Sequence, residues 1–318
     1  MKILITGVAG FIGFSIAQHL LKKKHKVFGI DNFDTYYSIS LKKKRINVLN
    51  KNSNFIFKKV DIVSHKKLSN FFKKKKFDKI IHLAAQAGVR YSFKNPSKYI
   101  DSNIFGFLNL IDEAKKNKVK NIIYASSSSV YGDSINFPLK EKEDLNPKSI
   151  YAVSKKLNEE TAEMYHKING INFIGLRFFT IYGEWGRPDM FMFKLFKSFF
   201  LKKSFYLNNY GNHLRDFTYI GDVVNIMEKL INKKIYGNHI FNICSNKPQN
   251  ILDIVNKFRN NNKIDIKMTK IHKADVLKTH GNNNKIKKFL KYKNFSKFST
   301  YFSKTFEWYK KNRMYNIG

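Results

Sequence analysis

The chain has 318 residues, 43% of them hydrophobic, with a single cysteine and 60 Lys+Arg against 23 Asp+Glu, a formal net charge of +37. That length suits one large α/β unit or two coupled lobes, and no self-similar segment recurs at a period of about 20–50 residues. The lone Cys244 excludes an intrachain disulfide framework and a cysteine-rich zinc site, and no other metal motif is visible. The N-terminal apolar run is too short for a signal peptide, and no uncharged apolar stretch reaches the roughly 18 residues of a membrane span. The expectation is a soluble, cytoplasmic protein without a metal or a membrane partner. The charge invites a nucleic-acid reading. It comes, however, from 53 Lys and only 7 Arg, with the lysines in short scattered runs such as Lys22 to Lys24 and Lys73 to Lys76. That pattern reads as solvated surface rather than a binding stripe, so no nucleic-acid partner is expected, and each arginine becomes informative.

In chain order, strands are predicted at Lys2 to Thr6, Val27 to Ile30, Phe55 to Lys58, Lys79 to Leu83, Asn121 to Ala125 and Asn172 to Phe178. Helical patterns alternate with them near Ile12 to Lys24, His65 to Lys75, Ser97 to Asn117 and Ile150 to Ile168. Such alternation predicts βαβ units and a doubly wound parallel sheet. Beyond Phe179 the pattern is irregular, with an aromatic stretch from Trp185 to Tyr210, a helix near Asp222 to Asn232, a strand at His239 to Cys244, and helices near Ile251 to Asn260 and Ser296 to Lys311. The expected division is a nucleotide-binding domain over 1–178 and a smaller mixed α/β substrate lobe over 179–318, with part of 215–245 returning to the first domain. The two would share a cleft at the carboxyl ends of the strands.

Thr6 to Gly13 reads TGVAGFIG, directly after a strand and opening a helix. Gly7 permits the tight turn, Gly10 lets backbone N–H groups approach a diphosphate, and Gly13 allows close helix-to-strand packing, with Phe11 and Ile12 opening the helix. About 20 residues on, Asp31 ends the second strand, where a carboxylate accepts from ribose hydroxyls. An acid there favours NAD over NADP, and the fold is therefore Rossmann-like. Asp61 and Ile62 follow the third strand and are candidates for the adenine, although a loop Asp needs no such role.

Tyr151 and Lys155 stand four apart on a helix whose apolar side carries Ile150, Val153, Leu157, Met164 and Ile168. Lowering a phenol from its pKa of about 10 to about 6–7 takes roughly 4–5 kcal/mol. One ammonium at about 6 Å supplies only roughly 2–3 kcal/mol at an effective dielectric near 20. A second positive charge is needed, and an oxidised nicotinamide ring supplies it. The run Ser126-Ser127-Ser128-Ser129 at the end of the fifth strand places hydroxyls where they could hold a sugar hydroxyl, although serines after strands also serve as turns and caps.

With these elements in order, the chain resembles the extended short-chain dehydrogenase/reductase superfamily and, within it, the nucleotide-sugar 4-epimerases, most nearly the bacterial UDP-glucuronate 4-epimerases. The resemblance is carried by His82 to Ser92, the serine run with Val130-Tyr131-Gly132, Arg177 to Gly183, Trp185 to Met190, and Arg215 to Ile220. It implies that Ser127 is the catalytic hydroxyl, Tyr151 the base, and Lys155 its electrostatic partner and ribose ligand. It also implies that Asp31, Asn32, Asp61, Ile62, Leu83, Ala84, Ala85, Asn103, Tyr151, Lys155 and Phe178 line NAD, while Arg90, Ser127, Ser128, Thr180, Arg187, Asp189 and Arg215 face the sugar or the UDP phosphates. Four of the seven arginines (Arg90, Arg177, Arg187, Arg215) fall in these motifs, where bidentate recognition of carboxylate or phosphate resists replacement by lysine.

The implied reaction is a hydride loan at the sugar's C4, interconverting UDP-glucuronate and UDP-galacturonate for surface polysaccharide. Related 4,6-dehydratases carry an acidic pair, and decarboxylases a Glu, where this chain has Ser128 and Ser129. The substrate carboxylate is expected to pair with Arg187 or Arg90, or to be held by Ser127 to Ser129 or Thr180. Departures from the family pattern are Ala274-Asp275, Thr279 to Asn282 and Gly221. A homodimer is implied, packed through the helices near 97–117 and 150–168. The rival readings are a 4-epimerase for UDP-glucose or UDP-N-acetylglucosamine and, from another class, a non-catalytic NAD- or RNA-binding protein.

Overall fold

The computed structural model describes residues 1–272 and 275–313; Ala274, one of the departures, lies outside them. Seven strands form one sheet: β1 (Lys2–Thr6), β2 (Lys26–Asp31), β3 (Phe55–Lys59), β4 (Lys79–His82), β5 (Asn121–Ser127), β6 (Asn172–Phe178) and, much later in the chain, Asn238–Ile243. The spatial order is Asn238–Ile243, β6, β5, β4, β1, β2, β3, and every pairing is parallel. The order reverses between β1 and β4. That reversal opens a crevice at the strands' carboxyl ends, where ligands bind in open α/β sheets.

Such a sheet forms because its strands are near-continuous apolar runs covered on both faces. One face is covered by helices α1 (Phe11–Lys22) and α2 (Ile39–Leu49), the other by α3 (His65–Phe72), α5 (Gly106–Lys116) and α6 (Ile150–Asn169), with the short α4 (Pro96–Tyr99) leading into α5. Later elements return to the first face: Ile226 and Leu230 of α8 (Ile220–Asn232) and Ile286 and Leu290 of α10 (Asn284–Leu290), the last pair beyond the expected 215–245. A separate aromatic core joins α7 (Phe191–Phe200), α9 (Ile251–Asn261) and α11 (Phe298–Asn312). Tyr309 is buried in it and Trp308 packs against it. Short two-stranded pairs, Thr180–Tyr182 with Phe217–Tyr219 and Leu214–Arg215 with Gln249–Asn250, stitch that lobe to the strand ends. Among the described residues no helix is long and apolar enough to cross a membrane, and no cluster of His, Cys, Asp or Glu can hold a metal ion.

Several elements differ from the sequence expectations. Helix α2 buries Lys42 and Arg45 beside Leu41, Ile46 and Leu49, so cations occupy core positions and mask its apolar period. Helix α7, FMFKLFKSFF, buries Met192, Phe193, Leu195 and Phe196 within the aromatic stretch expected to be irregular. The expected single helix 97–117 is instead α4, a π-helical turn over Ile100–Phe105, and α5. Helix α6 is inverted relative to an ordinary surface helix. It buries Ala152, Ser154, Lys155, Asn158, Glu159 and Ala162, and exposes Ile150, Val153, Leu157, Met164 and Ile168.

Candidate active site

The glycine turn is built by exclusion. Gly7 has φ +70°, and a Cβ there would lie 2.6 Å from the Ala84 nitrogen; a Cβ on Gly13 would lie 2.3 Å from the Gly7 carbonyl oxygen. The turn therefore presses β1, β4 and α1 together. Gly10 caps α1 without a side chain, leaving the first-turn amides to an anion. At the end of β2, the Asp31 carboxylate accepts from the Ala9 amide at 3.1 Å and the Phe33 amide at 2.9 Å. Burial pushes its pKa up, while the Phe33 amide and Lys42 pull the other way. Asn32 donates to Asp61 at 3.1 Å, joining the ends of β2 and β3.

The reacting groups meet where β5 and α6 converge. Ser127 ends β5, its Oγ accepting from the Ser129 amide at 3.1 Å. Ser149 caps α6 by accepting from the Ala152 amide at 3.1 Å, which fixes the turn bearing Tyr151. Burial raises the pKa of Tyr151, opposed by a hydrogen bond with Ser127 and by the charge of Arg187. Lys155 donates to the Ala125 carbonyl at 2.9 Å, and burial pushes its own pKa down to about 8 against the opposing charge of Glu159. Behind them, Arg177 holds Glu159 through two bonds of 2.9 and 2.7 Å, and Ser126 donates to the same carboxylate. The bidentate partner of Arg177 is thus the protein's own acid, and the network locks β5, β6 and α6 in register.

One cavity of about 490 Å³ runs from the glycine turn past Tyr151 to Arg215. All the expected cofactor and substrate residues line it except two. Asn103 is buried behind the wall: the π-helical turn aims it inward, its Oδ1 accepts from the Gln86 amide at 2.8 Å, and its Nδ2 donates to Ser154 at 2.9 Å. It holds the 84–88 loop rather than facing the cavity. Arg90 lies at the rim, half exposed and paired bidentately with Asp275 at 3.0 and 2.6 Å.

At the sugar end, Arg187 donates to Asp189 at 2.9 and 2.6 Å, and Tyr36 donates to the same carboxylate at 3.1 Å. Burial works against the charge on Arg187, but Asp189 outweighs it and the pKa is raised; Asp189 is held below the usual carboxylate range by Arg187 despite its burial. Arg215 differs, donating to the Leu214 and Leu277 carbonyls at 3.0 Å each. Burial lowers its pKa to about 10, Asp275 opposing. Next to it, Asp216 accepts from the Ser245, Asn246 and Gly281 amides, and burial lifts its pKa to about 6. Tyr36, Lys42, Arg45 and Asp216 escaped sequence reasoning. The scarcity of arginine was a signal that could have singled out Arg45.

A family model described as the NAD dependent epimerase/dehydratase family matches residues 3–244. The chain is 44% identical to an uncharacterized protein of Methanocaldococcus jannaschii, over 92% of this chain and 91% of that one. It is 38% identical to the UDP-glucuronate 4-epimerase of Thermodesulfobacterium geofontis, over 97% and 96%. The crystal structure of UDP-glucuronic acid 4-epimerase from Bacillus cereus, in complex with UDP-glucuronic acid and NAD, superposes with a TM-score of 0.92 at 32% identity, covering 98% of this chain and all of that one.

Proposed function

The chain belongs to the NAD-dependent epimerase/dehydratase family, and from that premise we propose that it converts UDP-glucuronate to UDP-galacturonate by inverting C4 through a 4-keto sugar. What supports this most is that Ser127, Tyr151 and Lys155 open onto one cavity with the glycine turn and Asp31. The turn fits NAD: its packing leaves no room for a Cβ on Gly7 or Gly13, and α1 starts without a side-chain cap. Bound there, NAD would supply the reversible hydride chemistry that inversion at C4 requires, and its oxidised ring would add the positive charge that ionisation of Tyr151 needs.

The chain's own residues do the rest. Tyr151 accepts the proton of the 4-hydroxyl and gives it back, with Ser127 holding the same oxygen. Lys155, fixed on the Ala125 carbonyl, keeps two further N–H groups for ribose hydroxyls. Arg215, which forms no ion pair among the described residues, is the cation for the diphosphate. The sugar carboxylate is held by Ser128, Thr180 and the Nη1 edge of Arg187, which no described residue engages. Elimination chemistry has no acid to run on. The carboxylates lining the cavity are Asp31, Asp34 and Asp61 at the cofactor end and Asp189 and Asp275, each tied to an arginine.

The working form is a homodimer. Val153, Leu157, Met164 and Ile168 make an exposed apolar face on the side of α6 away from the cavity, and Phe105 of the π-helical turn is exposed as well. Such a face on a soluble protein calls for a partner.

Incubation of the purified protein with UDP-glucuronate alone tests the function. UDP-galacturonate should appear by chromatography, with no net NADH and no carbon dioxide, from a species sedimenting at twice the 37.4 kDa chain mass. Unchanged substrate in protein that holds NAD would overturn the substrate assignment, and conversion of UDP-glucose or UDP-N-acetylglucosamine would replace it.

A further inference from the structure

We propose that Arg45 is a positioning residue that ties the cofactor turn to the loop carrying Arg187, so that NAD and the UDP-sugar strengthen each other's binding. This rests on the functional reading that the turn takes NAD and the Arg187 end takes the sugar. Arg45 is fully buried on α2, and among the described residues it forms no ion pair. Its Nη1 donates to the Ala9 carbonyl at 2.8 Å and to the Tyr37 hydroxyl at 3.0 Å. Its Nη2 donates to the carbonyls of Trp185 at 2.5 Å and Gly186 at 3.2 Å.

These acceptors belong to three segments with different tasks. Ala9 is inside the turn between Gly7 and Gly13. Tyr37 is in the loop that follows Asp31. Trp185 and Gly186 immediately precede Arg187. A buried guanidinium without a carboxylate is costly unless its donors are placed well. Here the planar fork reaches all three segments at once, and an ammonium, with its three donors on one atom, cannot. The substrate loop needs such a hold. Trp185 has φ +61°, a left-handed conformation that a bulky side chain adopts only when its surroundings enforce it. Its ring packs between Phe14 of α1, with centroids 5.0 Å apart, and Trp308 of α11, at 5.4 Å.

A second tie runs parallel. Tyr36, adjacent to Tyr37, donates to Asp189, the carboxylate that holds Arg187. The loop after Asp31 is therefore bound to the substrate loop on both sides of Arg187. Ordering the turn orders the loop through one shared cation, and because binding linkage is reciprocal, the converse holds with the same factor.

The test is the rate of NAD release from the holoenzyme, with and without saturating UDP. In the unmodified protein UDP should slow release about tenfold. Arg45→Lys should bring that factor within about twofold, while Arg259→Lys, at an exposed position on α9, should leave it intact. An unchanged factor in Arg45→Lys would overturn the proposal. Should that variant fail to fold, hydrogen exchange on the unmodified holoenzyme decides: UDP should slow exchange over 39–49 and 7–13, and no change there would overturn it. Wild-type protein that binds both ligands without mutual effect sinks this proposal alone, whereas protein that binds no NAD sinks the functional reading.

Discussion

The two ends of the cleft are built from different materials. At the cofactor end the shape comes from main chain: a glycine turn that touches the Leu83–Ala84 backbone, an uncapped helix, and Asp31 held by two amides. At the sugar end it comes largely from side chains answering side chains: Arg187 with Asp189, Asp189 with Tyr36, and Arg90 with Asp275. A backbone site tolerates change only where no Cβ is required, so it holds one ligand across many sequences. A side-chain site can be re-paired by single substitutions and is where selectivity resides.

The largest expected effect lies where the ends meet. Tyr151→Phe should lower kcat about 10³-fold with NAD still retained and the thermal midpoint little changed, since it removes the one oxygen that moves a proton and keeps the ring. A loss of under tenfold would remove Tyr151 from its role as base. Next comes Gly13→Ala, whose Cβ would meet main-chain atoms that cannot step aside. Overpacking of about 3 kcal/mol corresponds to about 100-fold weaker NAD retention, measured by dialysis. Preference among UDP-sugars should not move; if it did, the ends would not be separable.

The same contrast explains what the sequence disclosed. Gly7, Gly13, Asp31 and the Tyr151–Lys155 pair were legible because backbone geometry dictates their spacing along the chain. The sugar end was legible only as motifs, since nothing in spacing says that Arg90 will be taken by Asp275 185 residues away. Asn103 sat in a plain helical pattern, and only the π-helical turn over Ile100–Phe105 turns it inward. Helix α2 was missed because Lys42 and Arg45 occupy its buried positions, and α6 showed its apolar stripe while giving no sign that the stripe faces out.

At the sugar end, Arg187→Ala leaves Asp189 without the cation that keeps its pKa low. The pair's charge then changes from neutral to negative wherever Asp189 stays ionised, beside the bound sugar carboxylate. The ratio of kcat/KM for UDP-glucuronate over UDP-glucose should fall about tenfold, or about 1.4 kcal/mol. A ratio that stays put would transfer the carboxylate to Ser128 and Thr180 alone.

The smallest effect compares two histidines. His82, at the end of β4, is stacked on Phe107 and bonded to Thr6 at 2.8 Å; burial, then the charge of Lys155, depresses its pKa to about 3. His213, at the sugar end, is depressed to about 4 by burial and then by Arg215, with Asp275 opposing. Both bind fewer protons folded than unfolded below pH 6.5, so both contribute stability that is complete above 6.5 and is lost as pH falls through 4 and 3. Arg215→Gln separates them. Imidazole titration by NMR should show His213 moving upward, though short of 6.5 because burial is the larger cause, while His82 stays at about 3. The acid limb of the stability curve should then flatten only where His213 titrates. If His213 does not move, its surroundings act on it through burial alone, and the sugar end is less a lattice of charges than the ion pairs of Arg90 and Arg187 indicate.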